Sequence, residues 1–432
     1  MERLIETRDL YTEFNTFEGV VRALNGVSVV VNEGETYGLV GESGCGKSVT
    51  VRSMMRIVQA PGRITGGKVV IFFRAEDRRR GIDIVRRSEA YLTSIRGDSI
   101  SMIFQEASTS LNPVLSIGYQ VGESFHFHRR TQMLTETIGE LDDELAGRAG
   151  LASRGWKRLE RALFARELRA LKSYEDGIDA IDRELYQLED ATAPRDLKRR
   201  DLLNRRRDEL GERSALAELA KRVPFLRRYH RRLERTVRRH VVDLVRSLGV
   251  PNPERIADSY PHELSGGMQQ RIVIAIALAC HPVLLIADEP TSNLDVTIQA
   301  QIIDLIKLLK STAISSVLFI THDLGLVAEV CDRASVMYAG DISETAAVKD
   351  LFANPLHPYA RGLLRSVPKV EQSGELATIP GAVPNLIVPP TGCRFHPRCP
   401  DRRDVCGRAK PDLVERTPGH WVACWLYEED PS

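Results

Sequence analysis

Eight consecutive residues near the N-terminus have the composition of a phosphate-binding loop. They are Gly41, Glu42, Ser43, Gly44, Cys45, Gly46, Lys47 and Ser48, and they match the pattern G-x-x-x-x-G-K-[ST] in full. Glycines let backbone N–H groups close around β- and γ-phosphates at the start of a helix. Lys47 adds a positive charge to the same oxygens, and Ser48 offers its hydroxyl to Mg²⁺. The loop follows TYGLV and precedes SVTVRSMMRIV, and this strand–loop–helix context disfavours a chance glycine turn.

Two carboxylates end an apolar run farther along the chain. Residues 284–287 read LLIA and lead directly to Asp288 and Glu289. At the tip of a strand, Asp288 suits direct or water-mediated coordination of Mg²⁺. Glu289 lies one residue beyond and can serve as general base for an attacking water. Taken alone, two carboxylates after a strand indicate a surface turn equally well.

The elements around these residues predict an α/β fold. Apolar and polar positions alternate over residues 5–40, which predicts short strands joined by turns. VLLIADE and SVLFITHD predict further strands, with QAQIIDLIKLLKS as a helix between them. Strand, glycine loop and helix open an α/β nucleotide-binding domain.

Residues 126–240 differ sharply in composition from the segments on either side. They are rich in Arg, Glu, Leu and Ala, and LERALFARELRALKSYEDGIDAIDRELYQL has helical spacing. We predict two long helices, broken near Ala193 and Pro194, with a basic end that reads LRRYHRRLERTVRRH. One interpretation is a solvated helical hairpin; the other is a docking surface for a partner, for RNA or for a membrane phosphate.

Composition excludes some classes of protein. The 432 residues carry a formal net charge of +1, which argues against a surface built as a whole for nucleic acid. The start, MERLIETRDL, is charged where a secretory signal needs an apolar core. The most apolar stretch is interrupted by His281 and Pro282, so it predicts a buried helix and strand, not a membrane span. We expect a soluble or peripheral protein.

Four cysteines crowd into the C-terminal segment. Cys393, Cys399, Cys406 and Cys424 form the spacing C-x5-C-x6-C-x17-C. In a chain without a secretory signal, such a cluster predicts metal binding before disulfides. Four thiolates suit an iron–sulfur cluster or a Cys₄ zinc site, and the wide spacings fit a zinc ribbon less well. Unligated thiols or a disulfide are the third alternative.

A further motif resembles the ABC ATPases. LSGGMQQR, followed by an apolar helix and LLIADEP, is similar to the signature and Walker B region of that family. The resemblance implies a RecA-like core, an antiparallel β subdomain and a helical subdomain, here with the long helical insertion. It also implies that two subunits face head to tail, with Ser265, Gly266 and Gly267 of one contacting the γ-phosphate held by the other.

The resemblance assigns roles to other residues around the nucleotide. Gln105 matches the Q-loop glutamine that contacts Mg²⁺ and signals to the transmembrane partner, and His322 matches the switch histidine that stabilises the γ-phosphate. Asp295 matches the D-loop. With Glu289 as base, these residues imply a site that is competent for hydrolysis.

Two contacts with the nucleotide itself follow from the same resemblance. Val49, next after Ser48, is assigned to the phosphate site. Phe17 is our choice for the aromatic ring that stacks on adenine, with Phe14 and Tyr11 as alternatives.

Longer segments resemble the ATPase subunits of oligopeptide/dipeptide permeases. These segments are VGESGCGKS, ISMIFQEASTSLNP, SYPHELSGGMQQR, NPLHPYARGLLRSVP and the four-cysteine tail. The resemblance implies a nucleotide-binding domain over residues 1–350, containing the 126–240 insertion, and a small cysteine-rich C-terminal appendage over residues 351–432. It implies ATP, Mg²⁺ and a [4Fe–4S] cluster as cofactors, with Zn²⁺ as the alternative metal.

The implied function is ATP hydrolysis that energises uptake of oligopeptides or dipeptides, or of oligosaccharides. The implied partners are two permease subunits, a second ABC ATPase subunit (paralogous or identical) and an extracellular solute-binding protein. The implied location is peripheral, at the cytoplasmic face of the cell membrane, with no specific nucleic acid expected.

A soluble ABC ATPase that acts on ribosomes or nucleic acid is the alternative function. The basic stretch from Arg227 to Arg239 favours it, but such proteins usually carry two cassettes, and this chain has one phosphate loop and one LSGGM. A non-catalytic scaffold is disfavoured because Glu289 and His322 are both present.

Overall fold

The computed structural model describes residues 2–73, 81–105, 107–146, 151–188, 193–219, 227–292, 294–312, 316–366 and 378–428. The chain forms two compact units. The first unit contains Met1–Val85, Met102–Gln105 and Val283–Ser432, and the second contains Arg86–Ser101 and Glu106–Pro282.

The strands, in chain order, are β1 (Arg3–Thr16), β2 (Gly19–Asn32), β3 (Thr36–Val40), β4 (Gly62–Ile71), β5 (Ile82–Asp83), β6 (Ile100–Ile103), β7 (Leu284–Asp288), β8 (Ser316–Thr321), β9 (Arg333–Tyr338), β10 (Asp341–Ala347), β11 (Val414–Thr417) and β12 (His420–Val422). The helices are α1 (Lys47–Met54), α2 (Glu89–Ile95), α3 (Ala107–Ser110), α4 (Ile117–His128), α5 (Arg130–Ala146), α6 (Leu151–Gln187), α7 (Pro194–Leu219), α8 (Arg227–Ser247), α9 (Pro253–Asp258), α10 (Gly266–Leu278), α11 (Val296–Thr312), α12 (Leu324–Val330), α13 (Val348–Ala353) and α14 (Pro358–Arg365).

The first unit is built on two sheets. The smaller sheet has the order β2-β1-β4-β5, and its neighbouring strands are antiparallel. The larger sheet has the order β11-β12-β10-β9-β3-β8-β7-β6. Within it, β3 pairs in parallel with both β8 and β9, and β7 pairs in parallel with β8. Strands β3, β7 and β8 are buried along their whole length, as expected of parallel strands covered on both faces. The predicted α/β class is confirmed.

The second unit is mainly helical. Helices α4, α5, α8 and α10 share an apolar interior to which they contribute Val121, Phe125, Leu134, Leu141, Val237, Val241 and Ile272. The predicted buried helix and strand around His281 and Pro282 are α10 and β7, so that prediction is confirmed. None of the helices among the described residues combines the length and the hydropathy that a membrane span requires.

The insertion has more helices than the two that we predicted. The described part contains α5, α6, α7 and α8, and the predicted break near Ala193 and Pro194 lies between α6 and α7. The sequence between α5 and α6 contains Gly147 and Gly150, and glycine disfavours helix continuation. The boundary at residue 240 lies inside α8, because Arg227–Ser247 form one helix.

The predicted separate appendage over residues 351–432 is not confirmed. Strand β12 pairs with β10, where Val422 lies opposite Glu344, and so extends the larger sheet. Residues 351–432 also contain α14, which begins with Pro358 in its first turn, a position where proline favours a helix. The division at residues 350 and 351 stays a prediction.

A buried ion pair joins α6 to α7. The Arg207 guanidinium donates to both carboxylate oxygens of Asp182, at 2.7 and 3.2 Å, and both side chains are buried. The guanidinium also lies 5.0 Å from the centre of the Tyr91 ring. Removing one member of such a pair leaves the other buried and uncompensated, which destabilises a protein strongly.

We expect Arg207→Ala to lower the free energy of unfolding by about 3 kcal/mol. The matched control is Arg199→Ala on the same helix, because Arg199 pairs with Glu184 in an exposed ion pair at 2.9 Å that contributes about 0–1 kcal/mol. Thermal and denaturant unfolding followed by circular dichroism measure both variants. Equal effects of the two substitutions would contradict the importance of the buried pair.

Candidate functional site

The phosphate-binding loop connects the end of β3 to the start of α1. Gly41 has φ 154°, and a Cβ there would lie 2.1 Å from the carbonyl oxygen of Met337. Gly46 is the N-cap of α1 with φ 106°, a conformation that residues with a Cβ rarely adopt. The predicted strand–loop–helix arrangement is therefore present, and two of its glycines are sterically required.

Lys47 is held against this loop. Its Nζ donates to the carbonyl oxygens of Gly41 at 2.8 Å and Glu42 at 3.0 Å, and the side chain is buried. The ammonium thus lies beside the N-terminus of α1, where free N–H groups and the helix dipole favour an anion. Both features attract the phosphate groups of a nucleotide.

Ser48 and Asp288 meet at the carboxyl ends of β3 and β7. The Ser48 hydroxyl donates to Oδ1 of Asp288 at 3.0 Å. Asp288 is only 1% exposed, and burial raises the pKa of its carboxyl group above the usual value. Its second oxygen, Oδ2, is buried without a hydrogen-bond partner among the described residues. A hydroxyl and an unsatisfied carboxylate oxygen are the hard donors that Mg²⁺ prefers, so this pair fits the ion.

The carboxylate of Glu289 contacts two other residues that the sequence predicted for the site. Gln105 Nε2 donates to Oε2 of Glu289 at 3.0 Å, and Nδ1 of His322 lies 3.2 Å from Oε1. Glu289 itself has φ 47°, and its N–H donates to the carbonyl oxygen of Ile320 at 2.9 Å. Strained backbone of this kind costs about 1–3 kcal/mol and is concentrated at functional sites. The structure thus brings Gln105, Glu289 and His322 together within one unit.

Ser265 starts a helix in the second unit. Ser265 is the N-cap of α10, and its hydroxyl accepts a hydrogen bond from the N–H of Met268 at 3.4 Å. Ser265 and Gly266 are exposed, and Gly267 is half-buried. An exposed helix N-terminus suits an anion, and the contact of these three residues with a partner's nucleotide stays a prediction.

Three other predicted residues lie at separate places in the first unit. Asp295 is exposed and accepts from the N–H of Ile298 at the start of α11. Val49 is half-buried in the first turn of α1. Phe17 lies exposed in the turn between β1 and β2. Their contacts with a nucleotide stay predictions.

The four clustered cysteines lie near one another in the first unit. All are free thiols, and the N–H of Cys393 donates to the carbonyl oxygen of Cys406 at 2.8 Å. Burial, and then the nearby cysteines, raise the pKa of Cys393 to about 12, and burial raises that of Cys399 to about 11. In the described part of the chain, no three His, Cys, Asp or Glu residues form a group that could hold a metal ion. The predicted cluster is not confirmed.

Two residues that the sequence analysis did not single out contact the phosphate-binding loop. Tyr359 accepts a hydrogen bond from the N–H of Glu42, and Arg398 pairs with the Glu42 carboxylate. Both lie more than 300 positions away in the sequence, and no local spacing signals such a contact.

Two family profiles match the chain. One is described as "ABC transporter" and matches residues 24–292. The other is described as "Oligopeptide/dipeptide transporter, C-terminal region" and matches residues 343–406.

Curated relatives match along the whole chain. The dipeptide transport ATP-binding protein DppD of Bacillus subtilis is 35% identical, with 99% of this chain and 96% of that protein covered. The probable peptide ABC transporter ATP-binding protein y4tR of Sinorhizobium fredii is 38% identical, with the same coverage of 99% and 96%. The oligopeptide transport ATP-binding protein AppD of Bacillus subtilis is 36% identical, with coverage of 100% and 98%.

We expect Asp288→Asn to weaken Mg²⁺ binding in the presence of ATP by at least about tenfold, because it removes the negative charge and one of the two carboxylate oxygens. The measurement is the rise in thermal unfolding temperature on titrating Mg²⁺ into the ATP-saturated protein. ATP binding in EDTA should change little. Asp304→Asn, an exposed change on α11, is the control; an unaltered Mg²⁺ response in Asp288→Asn would place the ion elsewhere.

Proposed function

Because the chain belongs to the family of ATP-binding subunits of oligopeptide and dipeptide ABC transporters, we propose that it hydrolyses ATP to drive peptide uptake through partner permease subunits. The family follows from the two profiles and from relatives at 35–38% identity over nearly the full chain. ABC ATP-binding subunits are ATPases coupled to transport. The names of the relatives favour dipeptides or oligopeptides over oligosaccharides.

The carboxylate of Glu289 is the observation that carries this proposal. One of its oxygens is held by Gln105 and the other faces His322, so the carboxylate is oriented at the end of β7 beside Asp288. A base in this position accepts a proton from water as the water attacks the γ-phosphorus. The new O–P bond forms in line with the bond to the leaving oxygen of ADP, which breaks.

The phosphate groups are positioned by other residues of the same unit. Lys47 and the N–H groups at the start of α1 hold the β- and γ-phosphate oxygens. Ser48 and Asp288 are the residues that hold Mg²⁺, which when bound neutralises charge on those oxygens. His322 contacts the carboxylate oxygen of Glu289 that Gln105 does not contact, and in this proposal it stabilises the γ-phosphate.

A second ATPase subunit, identical or paralogous, completes each site in this proposal. The support is the exposed N-terminus of α10, where Ser265 and Gly266 offer an anion-binding helix end. Asp295, exposed at the start of α11, is proposed to lie at the same subunit boundary.

The remaining partners are proposed from the family. They are two permease subunits and, through them, an extracellular solute-binding protein. The chain would work at the cytoplasmic face of the membrane, bound peripherally through the permease. Gln105, exposed and in contact with Glu289, is the residue through which the permease and the hydrolytic base are coupled.

Three arginines of the basic helix α8 are paired with carboxylates of the second unit. Arg232 donates to both oxygens of Glu144 at 2.8 and 3.2 Å. Arg238 pairs with Asp258 and Arg239 with Glu140. These pairs lower the positive charge that α8 presents to phosphates, and relatives named as peptide transport proteins also favour the importer over a function on ribosomes or nucleic acid.

We also propose that the four clustered cysteines hold a [4Fe–4S] cluster with a structural role. Their donor set, four thiols with no obligatory histidine, suits it. His420 is engaged elsewhere, at 2.7 Å from the buried Glu344 carboxylate, and does not compete as a ligand. A Cys₄ zinc site is the alternative.

We expect Glu289→Gln to retain ATP binding and to lower the rate of hydrolysis by about 10²–10⁴-fold. The amide keeps the shape of the side chain but accepts no proton. Phosphate release by the purified protein with its partners, and retention of ATP after gel filtration, measure the two effects. Glu329→Gln, exposed on α12, is the control, and near-normal hydrolysis in Glu289→Gln would refute the assignment of the base.

We expect the protein purified without oxygen to contain about four iron and four sulfide per chain and to show the visible absorption of an iron–sulfur cluster. Cys406→Ser should abolish both signals, whereas Cys280→Ser, in the other unit, should leave them. About one zinc per chain with no sulfide would favour the zinc site, and absence of all three elements would show that the thiols are unligated.

A further inference from the structure

We infer that Arg398 is a positioning residue for ATP: it neutralises the Glu42 carboxylate of the phosphate-binding loop and holds it aside, so that nucleotide affinity depends on the C-terminal segment. This inference rests on the proposed function of the loop as an ATP site. It assigns a task to a residue that lies between two of the clustered cysteines, Cys393 and Cys399.

Arg398 binds Glu42 with both arms of its guanidinium. Nη1 donates to Oε2 at 2.8 Å and Nη2 to Oε1 at 3.2 Å. The guanidinium also donates to the Tyr338 hydroxyl at 3.2 Å and to the carbonyl oxygens of Ile379 and Pro380. Its side chain is 8% exposed. Burial and these other hydrogen bonds hold the guanidinium in one orientation toward the loop.

The backbone of Glu42 is held by the same segment. Its N–H donates to the hydroxyl of the buried Tyr359 at 2.9 Å. The Tyr359 ring lies 4.6 Å from that of Tyr338, edge to face, and Phe395 contacts both rings at 5.1 and 5.3 Å. Glu42 is therefore fixed at its main chain and at its side chain by residues that follow the nucleotide-binding core in the sequence.

The negative charge of Glu42 explains why its side chain must be neutralised and held by Arg398. The loop exists to bind a polyphosphate, and an unpaired carboxylate in it would repel that ligand. At separations of several ångströms and the effective dielectric of a partly buried site, a unit charge changes affinity by about tenfold or more. A bidentate arginine cancels this charge with fixed geometry, which a lysine cannot reproduce.

The test measures ATP affinity of the full chain by isothermal titration calorimetry and steady-state hydrolysis in the presence of its partners. We expect Arg398→Ala to weaken ATP binding about tenfold and to raise KM in parallel, with kcat changed less than about twofold. The double variant Glu42→Gln with Arg398→Ala should recover most of the lost affinity, because it removes the charge that Arg398 compensates. Arg402→Ala, an exposed arginine of the same segment, should match the wild type.

Rescue separates this electrostatic role from mere support of the fold. Arg398→Lys keeps the charge and most of the packing, so it should fall between the wild type and Arg398→Ala even where the alanine variant folds poorly. Unchanged ATP affinity in Arg398→Ala, or a double variant as weak as the single one, would overturn the inference while the ATP site stands. A wild-type chain that binds no ATP would overturn the proposed function, and this inference with it.

Discussion

Parallel pairing of three buried strands determines where the reacting groups lie. Strand β8 pairs in register with β3, with Thr321 opposite Val40, and with β7, with Ile320 opposite Asp288. Since parallel strands end at the same edge of a sheet, the segments that follow them must lie side by side there. The phosphate-binding loop, Glu289 and His322 are these segments. A shift of one residue in this register would turn the site residues to other positions.

This edge of the sheet concentrates charge beside an apolar interior. Burial opposes ionisation of Asp288, and one of its oxygens has no hydrogen-bond partner in the described part of the chain. Glu289 adopts a left-handed backbone conformation. Both features cost stability in the protein alone. In the proposed function, Mg²⁺ and the phosphates of a nucleotide would supply the missing charge and ligands, so the features that cost stability in the protein alone would favour its substrate.

Contacts between residues that are close in sequence were predictable, and contacts across long separations were not. The loop from Gly41 to Ser48 and the carboxylates at the end of β7 were found because their chemistry requires fixed local spacings. The predicted number of helices in the insertion was wrong, because helical periodicity alone does not show where each helix ends. The pairing of Glu42 with Arg398, 356 positions apart, left no local signal. The carboxylates that pair with arginines of the basic helix α8 could not be predicted for the same reason, because these ion pairs depend on how the helices pack.

Isolation of the tagged full chain from its own membranes in mild detergent, with all partners identified by mass spectrometry, tests the central claim most directly. If the chain is the ATPase of a peptide importer, it should be recovered with two permease subunits, a second ABC ATPase subunit and a solute-binding protein whose ligand identifies the substrate. Recovery with ribosomal proteins or nucleic acid, and without any membrane subunit, would contradict the account.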